Sequence, residues 1–119
     1  MFKSTLNIIN MNNITLDFNE SLTIKNSINL KYCHNIKIIN KSKINKIIIE
    51  KCNNISIDIK SLVNGIEINK SNKIIINSKE NNMIPIIELY KSSVYIVGPI
   101  NHYKDIKINS EQSELYNIN

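Results

Sequence analysis

Among the 119 residues, the side chains able to do covalent or metal chemistry are few and scattered. Cys33 and Cys52 are the only cysteines, and His34 and His102 the only histidines. Neither histidine has companions at metal-ligand spacing, so both are expected on the surface and no metal centre is expected. The carboxylates Glu50, Asp58, Glu67 and Glu88 are spread along the chain, whereas a polysaccharide-cleaving enzyme needs several acids converging on one groove. No Ser/His/Asp combination, Walker-type loop or glycine-rich phosphate cradle can be read. The expectation is a binding module, not an enzyme, with no catalytic residues and no cofactor.

The formal net charge is +5, and all fifteen basic residues are lysines. Arginine supplies the bidentate fork used for phosphate and base-edge recognition, and lysine replaces it poorly. Aromatic residues make up only 6% of the chain, so stacking platforms are sparse too, and no nucleic-acid partner is expected. Most lysines, among them Lys31, Lys37 and Lys91, read as solvated positions that blunt exposed strand edges. No apolar run reaches the length of a membrane span, and Met1 to Asn13 lacks the apolar core and cleavage site of a signal peptide. Two cysteines are too few for a disulfide framework, so a reducing cytoplasm is the expected home, with both thiols free.

The elements that position these residues follow from a repeat. From Ile47 to Ile59 the sequence places Ile47, Ile49, Cys52, Ile55, Ile57 and Ile59 around a polar bend of Glu50, Lys51, Asn53 and Asn54. The unit recurs as Ile28, Leu30, Cys33, Ile36 and Ile38, and as Ile66, Ile68, Ser71, Ile74 and Ile76. Looser copies run through Ile87, Leu89, Ser92, Val94 and Ile96, through Ile106 to Ile118, and through Ile9 to Ile24. Period-two alternation interrupted by a short polar bend, repeated about every 19–22 residues, is what a β-helix requires. Helical solenoids would need apolar residues at three- and four-residue spacing, which these units lack. The chain is therefore expected to be all-β: one right-handed parallel β-helix domain over residues 1–119, with about six coils. Cys33 and Cys52 should stack at a corner of adjacent coils. Gly65, and Gly98 beside Pro99, are expected to mark corners, and Pro85 to begin a strand.

A β-helix also stacks charges from successive coils into rows. Lys51, Asp58, Lys60, Glu67, Lys70 and Lys73 come from the two best-formed coils and are the expected interaction face, a mixed row suited to a large acidic partner.

The segments INLKYCHNIKII, KINKIIIEKCNNISIDI, NGIEINKSNKIIIN and IPIIELYKSSVYIVG are followed by the stretch containing Ser110, Glu111, Glu114 and Asn117. In order and spacing they resemble the C-terminal β-helix domain of cyclase-associated proteins. The resemblance implies a binding partner, monomeric actin, and an activity, promotion of ADP-for-ATP exchange on actin in support of filament turnover. It also implies a homodimer, because the family domain exchanges a C-terminal hairpin between subunits, although the chain stops at Asn119, before such a hairpin. The helical domain and proline-rich segments of larger members are absent, so the chain reads as a short, stand-alone form. Tubulin-cofactor C-like domains share the fold but work on small GTPases or tubulin through an arginine, and this chain has none. A β-helix serving only as a structural binding module is the other alternative.

Overall fold

The computed structural model describes residues 4–100 and 105–118, so His102 lies outside the described residues. Six strands, β1 (Ser4–Ile9), β3 (Asn26–Lys31), β5 (Ile44–Glu50), β7 (Leu62–Asn69), β9 (Ile86–Tyr90) and β11 (Lys107–Glu111), form one parallel sheet in that order. The other six, β2 (Asn12–Asn19), β4 (His34–Asn40), β6 (Asn53–Ile59), β8 (Asn72–Ser78), β10 (Ser93–Val97) and β12 (Glu114–Ile118), form the second in the same stacking order. Each odd strand and the even strand after it make one layer. The six layers amount to about five turns of a parallel β-solenoid, as the repeat predicts.

Register explains why isoleucine dominates. On the first sheet, Leu6, Ile28, Ile47, Ile66 and Ile87 stack rung on rung, and beside them Ile8, Leu30, Ile49, Ile68 and Leu89. The second sheet answers with Ile14, Ile36, Ile55, Ile74 and Val94, and with Leu16, Ile38, Ile57, Ile76 and Ile96. A β-branched side chain with one favoured χ1 packs on its own kind one rung away, about 4.8 Å along the axis. The middle of these columns is sealed from water, while Leu6, Ile14 and Leu16 in the first coil are only partly buried. In the last coil the inward positions carry Ile108, Ser110 and Asn117, and Asn117 Nδ2 caps the column by donating to the Ile96 carbonyl at 3.1 Å. Leu22, Ile44, Leu62 and Ile84 close the core on the side where even strands lead to odd ones.

The glycine and proline positions are met in part. Gly65 is not at a corner but inside β7, beside a register shift at Ile44/Lys46, with φ of 120°. Gly98 does follow β10 at a corner, and Pro85 immediately precedes β9.

The tight corner from odd to even strand is built alike in five successive coils. Cys33, Cys52, Ser71, Ser92 and Ser113 form a column in which each of the first four backbone N–H groups donates to the side chain of the next coil. Each thiol or hydroxyl in turn donates to the carbonyl two residues before it. The column thus satisfies corner amides that the sheets cannot reach. Both cysteines are free and buried, and loss of solvation on burial pushes the Cys52 thiol up from 9.0 to about 11. Ser71→Ala would strand the Cys52 amide in the interior and is expected to cost about 1–3 kcal/mol, read as a lower urea midpoint at unchanged slope. Ser71→Cys, which repeats the chemistry of the two coils before it, is expected to cost less. Equal losses for the two substitutions would mean that the hydrogen bond contributes nothing beyond volume.

Candidate functional site

The residue before each corner Cys or Ser, and before Met11 at the same corner of the first coil, has a left-handed backbone. Asn10, Tyr32, Lys51, Lys70, Lys91 and Gln112 all have φ between 47° and 57°. Their amides bond to the next coil in strict succession, from Asn10 N donating to the Lys31 carbonyl to Lys91 N donating to the Glu111 carbonyl. The six side chains therefore stand in one line parallel to the solenoid axis. A second left-handed position three residues on holds Asn13, Asn35, Asn54 and Lys73. Here Asn35 Nδ2 donates to Asn13 Oδ1 at 2.8 Å, and Asn54 Nδ2 to Asn35 Oδ1 at 2.6 Å.

Of the six residues expected to form one mixed row, the fold brings three together at this corner: Lys51, Lys70 and Lys73. Asp58 and Lys60 lie at the far end of β6, roughly 20 Å along the strand from the corner. There Asp58 is almost fully buried and its Oδ2 is 3.6 Å from Lys79 Nζ, while Lys60 Nζ is 3.5 Å from Glu80 Oε1. Glu67 belongs to the outer face of the other sheet, with Lys46 Nζ at 3.0 Å. The single row is therefore corrected to three separate places. Alternation along β6 and β7 could not reveal this, because which strand ends meet depends on the corners between them.

Sequence reasoning missed Tyr32, whose ring centre lies 5.5 Å from Lys31 Nζ and 5.3 Å from Lys51 Nζ, and Lys91, which lies over Tyr90 at 5.2 Å. The signal was present: each of these corner residues directly precedes a Cys or Ser of the repeat.

An open cleft of about 620 Å³ lies on the outer face of the odd-strand sheet, lined by Glu67, Glu88, Tyr90, Ile108 and Glu111 among others. Glu67 and Glu88 are directly opposed across β7 and β9, a like-charge pair that a sheet ordinarily avoids. Among the described residues, no group of three His, Cys, Asp or Glu side chains is arranged to hold a metal ion. His34 is exposed at the start of β4, apart from any such group. No helix among the described residues is long and apolar enough to cross a membrane. The described surface consists of sheet faces and charged corners.

The family model described as adenylate cyclase associated (CAP) C terminal matches residues 4–119. Among solved structures, the crystal structure of cyclase-associated protein from Cryptosporidium parvum is similar at 27% identity and a TM-score of 0.79, covering 97% of this chain and 70% of that one. No curated protein sequence matches the chain.

Proposed function

Because the chain belongs to the family of cyclase-associated protein C-terminal domains, we propose that it binds monomeric actin and speeds the exchange of actin's bound nucleotide, so regulating filament turnover in the cytoplasm. What supports this most is that the likeness spans the whole stack of coils, residues 4–119, and not one Ile-rich segment of it.

No covalent step is required of the protein. A rigid partner that binds the nucleotide-free or open form of actin more tightly than the closed form shifts that population, and release accelerates by the difference in affinity. A parallel β-solenoid suits such work. Its faces are fixed by a continuous core, so little ordering entropy is lost when it docks.

Release of a fluorescent ATP analogue from monomeric actin at physiological salt tests the proposal. Addition of the protein is expected to raise the release rate, saturating with concentration. Three charge-reversed variants, altered at Lys51/Lys70/Lys73, at Asp58/Lys60 and at Glu67, then report which place carries the contact, the first being expected to lose most of the acceleration. No change in release, with no binding to ADP-actin or ATP-actin, would overturn the reading.

A further inference from the structure

The line of corner residues has a property that folding does not require. Left-handed backbone costs an ordinary L-residue about 1–2 kcal/mol, a cost that Asn and Gly largely escape. In this Asn-rich chain, Asn holds most of the second column (Asn13, Asn35 and Asn54) and the first rung of the line itself (Asn10), yet Lys51, Lys70 and Lys91 hold three successive rungs of that line. Stacking like charges on adjacent rungs of the corner adds a second penalty. Among the described residues no carboxylate lies within ion-pair distance of any of the three, although Lys31, Lys46, Lys60 and Lys79 each have one. What Lys51 and Lys91 have is an aromatic face, Tyr32 and Tyr90 respectively, which orders the side chain and leaves its charge unneutralised. All three are exposed at the corner, and Lys73 flanks them.

We infer that this edge is a cation ridge that takes an acidic stretch of a partner polypeptide laid along the solenoid axis. The three ammonium groups span two rungs, roughly 10 Å, and carboxylates on a chain rising about 3.4 Å per residue can meet all of them. A phosphate polyanion fits less well: the ridge has no guanidinium for bidentate contacts, and its two rings are already covered by lysines. This goes beyond the actin reading and does not need actin to be the partner.

The test is fluorescence anisotropy of a labelled deca-glutamate peptide at low and at physiological salt. Lys51→Asn/Lys70→Asn/Lys91→Asn removes three charges and places at each position a residue that tolerates its backbone, so the melting temperature should hold or rise. That variant is expected to lose tenfold or more in affinity. Lys25→Asn/Lys43→Asn/Lys107→Asn, which removes the same charge from exposed positions elsewhere, is expected to lose less than threefold. Replacing the three ridge lysines by Arg should retain binding. Equal losses in the two Asn variants would reduce the ridge to net charge and overturn the inference. So would tighter binding of a single-stranded oligonucleotide or of phosphatidylserine vesicles than of the peptide.

Discussion

Gly65→Ala is expected to destabilise the protein by about 4 kcal/mol, summing the strain of a non-glycine at positive φ with the overlap of a new methyl group. With φ at 120°, a Cβ built on Gly65 would lie 2.1 Å from the Ile86 carbonyl oxygen and about 3 Å from the Ile86 carbonyl carbon and amide nitrogen. These are backbone atoms of β9 held in the sheet, so no rotamer change relieves the contact. The register shift between β5 and β7 puts Gly65 there, since one strand carries an extra residue and the chain must kink to recover pairing at Ile66. A loss of that size corresponds to roughly 15–30 °C in melting temperature for a domain of this length. Thermal unfolding followed by circular dichroism would measure it, with exposed Val63→Ala as the comparison. A drop under about 5 °C would mean that β7 and β9 can separate locally at small cost.

The second large effect is expected in the central columns. Ile57 is fully buried, between Ile38 and Ile76 in its own column. Ile57→Ala removes three carbons where rungs on both sides are fixed by hydrogen bonds, so the cavity cannot collapse, and the cost should approach the upper part of the usual range, about 4 kcal/mol. Leu16→Ala in the first coil should cost about half as much, because that position is already part-exposed and is packed from one side along the axis. Urea unfolding of the two variants reads the difference directly. Equal losses would contradict a core built by stacking, in which a residue's contribution depends on having a coil both above and below it.

Both results bear on function through rigidity. Local loosening at β7 or β6 would let the rungs that carry Lys51 and Lys70 shift relative to one another. The spacing that sets out the ridge and the flat faces would then no longer be fixed. Variants that still fold but have lost central packing should therefore lose partner affinity before they lose secondary structure.

The sequence by itself determined the coil. Ile47, Ile49, Ile55 and Ile57 alternate with period two, Cys33, Cys52 and Ser71 recur at one spacing, and a strand can bury such alternation only by placing alternate residues on one face. The parallel stack, the inward columns and the buried cysteine pair follow from that local arithmetic. The line of Lys51, Lys70 and Lys91 was legible too, since each directly precedes the Cys or Ser that recurs in every coil. Only the tertiary structure decided that Asp58 and Lys60 lie at the other end of β6, and that Glu67 faces outward from the other sheet beside Lys46. Which ends of successive strands meet depends on two unequal corners and on register shifts that leave no mark in the apolar pattern. The core pattern is a property of one strand, whereas a surface shared by two sheets is a property of the stack and exists only once the register is set.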